Sequence, residues 1–306
     1  MNHVCICLAT FNGAKFLGKQ LKSLLGQTHT DWSLLIGDDG STDATREIVS
    51  KFISDNPDKK ILLFDSARKG YVKNFLSLIC HDMAVGDYFA FVDQDDVWLP
   101  QKLEVALHQL NQMKGNGPKL YGGRTIIIDA DDNRVNLSPL FKQKPSFQNA
   151  LVQNIAGGNT MVFNHATKQA LKSIGSDVNV ISHDWWAYIV VSGMGGAVIY
   201  DPIPQVLYRD HDMNMIGSNQ GIVAQFIRLR AVLAGQYLIW NDMHVTELQK
   251  FTELLHPANR DILAQFIHYR RSNGIQAIKK ARNIGLYRQS KLGTISLYLA
   301  SFFGKV

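Results

Sequence analysis

The strongest constraint on this chain is a rhythm in its first hundred residues, where short apolar runs alternate with segments of helical period. Residues 4–9 form a compact apolar run of strand length. Residues 14–25 then carry Phe16, Leu17, Leu21, Leu24 and Leu25 at helical spacing. Residues 32–36 are a second strand. Ser41 or Thr42 is expected to cap a helix whose core face uses Ile48, Val49 and Phe52. A third strand at 61–64, a helix at 71–83 and a fourth strand at 88–92 follow, and Pro100 is expected to open another helix from its first turn. Such alternation predicts an α/β fold, with a mostly parallel sheet flanked by helices on both faces.

Beyond residue 120 the pattern mixes strands with loops, and strands are expected at 121–129, 158–163 and 196–208. After Asn219 it turns helical, first over 220–240 and then around Glu247, Ile262 and Gln276. The expected division is a domain at 1–217 and a basic C-terminal helical region at 218–306.

Several classes are set aside by composition. Apolar residues make up 46% and charged residues 19%, an ordinary globular balance without a low-complexity tract. The three cysteines are too few for a disulfide scaffold. Cys5 and Cys7 share one strand face and cannot easily bridge, so packing in a reducing compartment is expected. The start lacks a secretory pattern, and no run reaches 18 apolar residues, so a cytoplasmic protein is expected. The net charge of +6 is unevenly placed. Residues 262–306 hold eight Lys and Arg and no acidic residue, which leaves 24 basic against 26 acidic groups before them. That tail is expected to meet an anionic surface, either the inner face of a plasma membrane or a phosphorylated ligand. Nucleic acid is not expected as a partner.

Polar clusters fall just after the predicted strands, where open α/β sheets bind ligands. Thr10-Phe11-Asn12-Gly13 follows the first strand and Asp38-Asp39-Gly40-Ser41-Thr42-Asp43 the second. Asp93-Gln94-Asp95-Asp96 follows the fourth, with three carboxylates in four residues, a costly arrangement unless a cation compensates. Carboxylate oxygens suit Mg²⁺ or Mn²⁺. The competing reading for each is an ordinary turn or helix cap. His183-Asp184-Trp185-Trp186 offers a carboxylate among apolar neighbours, the setting of a general base or of a capping residue. Tyr208-Arg209-Asp210-His211 offers Arg209 for a diphosphate and His211 as a metal ligand. Gly157-Gly158-Asn159-Thr160 is expected to let a sugar approach backbone closely at Gly158.

The ordered set, together with Gln27-Thr28 and the continuation Val97-Trp98-Leu99-Pro100-Gln101-Lys102, resembles glycosyltransferase family 2, inverting enzymes of GT-A fold. The resemblance covers about residues 3–215. The Asp-Gln-Asp-Asp-Val-Trp form and the segment Tyr208 to Asn214 with Gly217 are similar to bacterial rhamnosyltransferases of O-antigen, rhamnan or capsule synthesis. The resemblance implies that Asp39 contacts the base, Asp93 lies near the ribose, Asp95 binds the metal and Asp184 is the catalytic base. His183 stands where the family usually has Glu. Thr10, Asn12, Lys73, Gly158 and Arg209 complete the expected donor-binding set. The implied donor is dTDP-rhamnose, with a UDP-hexose or UDP-N-acetylhexosamine as the alternative. The implied acceptor is a saccharide, lipid-linked through a polyprenyl diphosphate. A nucleotidyltransferase would want a Gly-rich basic phosphate loop after the first strand, which Thr10-Phe11-Asn12-Gly13 is not. A non-catalytic nucleotide-sugar-binding protein would have no use for Asp95, Asp184 and His211 together.

Overall fold

The computed structural model describes residues 2–210 and 236–306. Strand β1 (Val4–Thr10) is buried along its whole length and shows how the layers arise. Val4, Ile6 and Leu8 enter one hydrophobic core, while Cys5, Cys7 and Ala9 enter the other, as strand alternation requires. Both faces of the sheet must therefore be covered.

β1 lies between β2 (Trp32–Asp38) and β4 (Tyr88–Asp93), parallel to both. The seven-stranded sheet runs β10 (Ala197–Asp201), β6 (Lys119–Gly123), β9 (Val162–Asn164), β4, β1, β2 and β3 (Ile61–Asp65). β9 is antiparallel to β4 and β6, and the other pairs are parallel. Helices α1 (Ala14–Leu25), α2 (Thr45–Asp55) and α4 (Lys102–Gln112) cover the Val4 face through Leu17, Leu21, Val49, Leu103 and Leu107. Helices α3 (Tyr71–Cys80), α6 (His165–Ile174) and α7 (His183–Gly193) cover the Cys5 face through Phe75, Ile79, Leu171, Trp186 and Ile189. Each such side chain contributes roughly 1.5–3 kcal/mol when fully buried, so the apolar pattern decides the layering.

The short α5 (Phe147–Ala150) packs on α7. Helices α8 (Gln236–Lys250), α9 (Pro257–Arg270), α10 (Gly274–Ile284) and α11 (Lys291–Phe302) form the C-terminal extension. They bury Val245, Leu248, Leu263, Phe266 and Leu297 in the same core as α7. Among the described residues no helix is long and apolar enough to cross a membrane. The three cysteines are unpaired, and Cys5 and Cys7 are packing residues of one core.

Several expected boundaries shift. The strand expected at 121–129 is two strands, β6 and β7 (Ile126–Ile128), and that at 196–208 is β10 and β11 (Val206–Arg209). Pro202 and Pro204 explain the second break, since proline cannot donate to a ladder. β7 and β11 belong to a second sheet, ordered β5 (Val97–Trp98), β11, β7, β8 (Arg134–Leu137), which the sequence did not announce. Residues 158–160 are a 3₁₀ turn instead of strand. Neither Ser41 nor Thr42 caps α2; Asp43 accepts from the Thr45 amide at 3.0 Å instead. The helix expected at 71–83 ends at Cys80, and α4 starts two residues past Pro100. The stretch 211–235, with His211 and the expected boundary at 217, lies outside the described residues.

Gln27 shows what the Gln-Thr pair does. Its buried Nε2 donates to the Leu99 carbonyl at 2.9 Å, and its Oε1 accepts from the Leu103 amide at 3.1 Å. The Thr28 hydroxyl donates to Glu104 at 2.7 Å. The end of α1 is thereby tied to the start of α4, just past the acidic loop. Gln27→Leu takes the acceptor from the buried Leu103 amide, while the Leu99 carbonyl keeps the Lys102 amide, and is expected to cost about 1–2 kcal/mol. The urea midpoint at constant slope measures this, and an unmoved midpoint would contradict the assignment.

Candidate active site

Strand register assembles the site. Thr10 is opposite Asp38, and Ala9 is opposite Asp93, so the carboxyl ends of β4, β1 and β2 lie side by side. The Thr10 hydroxyl donates to Gln94 Oε1 at 2.7 Å, and Gln94 also brackets the Phe11 backbone, at 3.0 and 3.1 Å. A Cβ on Gly13 would collide with the Gln94 amide, which explains that glycine. Asn12 adopts φ 47°, donates its amide to Ser41 Oγ and accepts from the Thr42 amide at 2.8 Å. Its side chain joins two loops.

The adjacent carboxylates of β2 have different partners. Asp38 is buried and accepts from the Ser41 amide and from Arg46 Nη1 at 3.0 Å. Asp39 accepts from the Gly70 amide through one oxygen at 2.8 Å. Its other oxygen is buried and has no hydrogen-bond partner among the described residues. Arg68 lies over Gly40, where a Cβ would sit 2.7 Å from its Nε. Lys73 pairs with exposed Asp177 at 2.9 Å.

The three carboxylates at the end of β4 and just past it have different surroundings. Asp96 is buried and accepts from the Arg209 amide at 3.0 Å and from the Asn159 side-chain amide. Burial, with the nearby charge of Asp95, pushes its carboxyl up to about 8 against the pull of those hydrogen bonds. Asp93 is raised well above the usual carboxylate range by burial, then by Asp96, Asp95 and Asp184. Asp95 keeps partial exposure. This excess of negative charge and the all-oxygen donor set fit a hard divalent cation. Asp96 is committed to protein donors through both of its oxygens. Among the described residues no three His, Cys, Asp or Glu side chains form a metal-holding group. His211 lies outside those residues.

Asp184 sits in the first turn of α7. Its Oδ2 accepts from the Gly158 amide at 3.0 Å, and its Oδ1 from the Trp185 amide at 2.6 Å. Trp185 and Trp186 turn into the core. His183 stacks on Phe75 with centroids 3.9 Å apart and meets Phe91 edge-on, and neither ring nitrogen has a hydrogen-bond partner among the described residues. Asp184 therefore takes its support from backbone amides, not from its neighbour. A Cβ on Gly158 would strike the His183 ring, so that glycine already has a reason in packing.

Arg209 is placed otherwise than expected. Its side chain is 0% exposed. Nε donates to the Asp95 carbonyl at 2.8 Å, Nη1 to the Asp129 carbonyl at 3.0 Å, and Nη2 pairs with Asp132 at 2.6 Å. The guanidinium also lies over the Phe16 ring. It braces the acidic loop through the Asp95 carbonyl, with its side chain buried.

Three residues were passed over by sequence reasoning. Phe11 is 53% exposed between two loop anchors, an aromatic in a polar cluster that its strand-end position could have flagged. Asn159 ties the 158–160 turn to Asp96. Tyr71 is pushed up to about 12 by burial and then by the charges of Asp184 and Asp93, which places it near both. Only the fold brings it there.

The glycosyl transferase family 2 model matches residues 5–174. The dTDP-rhamnosyl transferase RfbG of Shigella flexneri is 30% identical over 233 residues, 74% of this chain and 78% of that protein. WfgD of Escherichia coli, a UDP-Glc:alpha-D-GlcNAc-diphosphoundecaprenol beta-1,3-glucosyltransferase, is 34% identical over 124 residues, 40% of this chain and 46% of that protein. The mannosyltransferase PcManGT from Pyrobaculum calidifontis, solved with GDP-Man and Mn²⁺, aligns at a TM-score of 0.53 and 17% identity, covering 99% of this chain and 85% of that one. That likeness is one of fold, GT-A-like.

Burial lowers the His183 pKa from 6.5 to about 4. The unfolded chain thus takes up a proton below pH 6.5 that the folded chain refuses until about pH 4. The stability owed to the neutral ring is complete above pH 6.5 and falls as pH drops through this window, by roughly 3 kcal/mol in all. His183→Phe keeps the stack and removes the titration. Wild-type stability relative to this variant, from urea unfolding at pH 7 and pH 4.5, is expected to fall by roughly 2 kcal/mol. An equal difference at both pH values would refute a ring held neutral.

Proposed function

The chain belongs to glycosyltransferase family 2, and on that premise we propose that it transfers L-rhamnose from dTDP-rhamnose to a saccharide acceptor with inversion at the anomeric carbon. The rhamnose reading is supported by the similarity to RfbG. A lipid-linked acceptor, a growing surface glycan on a polyprenyl diphosphate, is supported by the likeness to WfgD, whose name carries such an acceptor. The observation that carries the reaction class is the 158–160 turn. It holds Asp184 through the Gly158 amide and the acidic loop through Asn159, so base and donor end are built on one support.

In this reading the second oxygen of Asp39 accepts from the N3–H of thymine, and Phe11 lays its ring on the base. Asp93 meets the ribose. Asp95, joined by His211, would hold Mg²⁺ or Mn²⁺. Such a cation supplies neutralising charge for the departing diphosphate when bound. Asp184 takes the proton from the acceptor hydroxyl as that oxygen attacks the anomeric carbon, and the bond to the diphosphate oxygen breaks on the opposite face. The two backbone amides on Asp184 fix where its lone pairs point. A UDP-hexose donor remains the second reading, favoured by the UDP-Glc in the name of WfgD.

Asp184→Asn keeps shape and removes basicity. It is expected to cut kcat at least ~10²-fold while nucleotide affinity stays within about twofold. Near-normal turnover would move the base elsewhere.

Calorimetry tests the donor end. dTDP is expected to bind more tightly than UDP, and Asp39→Ala and Phe11→Ala to weaken dTDP at least ~10-fold. EDTA is expected to weaken wild-type binding and to leave Asp95→Ala unmoved. Equal affinity with and without EDTA would remove the metal, and transfer only from a UDP-sugar would replace rhamnose.

A further inference from the structure

Helix α11 has two apolar faces, and among the described residues only one is packed. Leu297, Ala300 and Ser301 are buried against the other C-terminal helices, with the Ser301 hydroxyl bonded to Tyr269. On the other side Leu292, Ile295, Leu299, Phe302 and Phe303 are 41–66% exposed. At 3.6 residues per turn these five share an arc of about 100°. Single exposed apolar residues are ordinary, but a contiguous stripe marks an interaction surface. The close of α11 sits beside the start of α10, where a Cβ on Gly304 would lie 3.7 Å from that of Asn273. Ile275, 66% exposed, is therefore at the Phe303 end of the stripe.

The charges around the stripe say what it meets. Lys279 and Arg282 lie on the face of α10 that carries Ile275, and Lys291 opens α11; all three are exposed. Arg270, Lys280 and Arg288, by contrast, are bonded to Asp242, Ser272 and Tyr237. No acidic residue occurs between 262 and 306. A second copy of this chain would set cation against cation. An anionic bilayer would take the cations at its headgroups and the Leu, Ile and Phe side chains just beneath them, the pattern of a helix lying in the interface plane.

We propose that the α10–α11 face docks the protein on anionic membrane, with α11 parallel to the surface and its Leu292–Phe303 stripe immersed. This stands apart from the donor and acceptor reading, and its test needs neither sugar nor nucleotide. The full chain is sedimented with vesicles of phosphatidylcholine alone or with 30% phosphatidylglycerol. Binding is expected only with the anionic lipid, and weaker in 0.5 M NaCl. Each basic residue beside such a surface contributes about fivefold in affinity. The triple change Lys279→Glu, Arg282→Glu, Lys291→Glu is therefore expected to lower partitioning on the order of 100-fold or more. The triple change Ile295→Ser, Leu299→Ser, Phe303→Ser is expected to abolish the binding that survives salt. All six side chains point outward, so melting temperature should be kept, and the charge variant stands alone should the serine variant unfold. Equal binding to neutral vesicles, no binding to either, insensitivity to the charge variant, or a dimer in light scattering that the serine variant dissolves would each overturn the proposal.

Discussion

One buried carboxylate holds the site together. Asp96 stands just past the end of β4 and accepts from the Arg209 amide in β11 and from Asn159 in the 158–160 turn. Three separate stretches of chain meet on its two oxygens. The second sheet is thereby fastened to the edge of the first, and the turn that carries the Gly158 amide is fastened to the acidic loop. Burial and the neighbouring Asp95 oppose ionisation here, while the two donors favour it. Breaking such a hub from one side is expensive, because the partners left behind stay buried and unsatisfied.

Arg209 completes that hub from the rear. Its guanidinium collects the backbone carbonyls of Asp95 and Asp129 and the carboxylate of Asp132, which Lys19 of α1 also pairs. A planar fork of five donors suits this work, where a lysine would satisfy only part of it. A cation next to a run of aspartates invites assignment to a phosphate. The physical difference lies in burial, and burial of a single residue is not written in local sequence.

Legibility followed the range of the interactions. The alternation of strand and helix was readable because it reflects contacts within each element, and α1 came out with its expected bounds. The acidic strand ends were readable because strand position fixes them on one edge. The split of 196–208 was also within reach, since Pro202 and Pro204 forbid a continuous ladder. Out of reach were the second sheet, whose β5 and β7 pair with β11 over more than a hundred and about eighty residues, and the choice among Asp93, Asp95 and Asp96. Gly158 is instructive. A Cβ there would strike the His183 ring, a demand set by a contact between residues far apart in the chain.

The position of Asp184 depends in turn on residues far from any ligand. α7 is buried on nearly every side, with Asp184 its exception. One flank is closed by α5, where Trp185 Nε1 donates to the Ala150 carbonyl at 2.7 Å. The other is closed by the C-terminal extension, where His244 lies edge-on to Trp185 at 4.7 Å and Val245, Leu248 and Leu255 fill the same core. Tyr287 and Gln289 then bond to residues 143–149 and lock α5 from outside. A helix fixed on both flanks presents its first turn at one angle, so two backbone amides suffice to hold the carboxylate. The side chain at 183 serves instead as an aromatic wedge between α7 and the sheet, stacked on Phe75 and edge-on to Phe91.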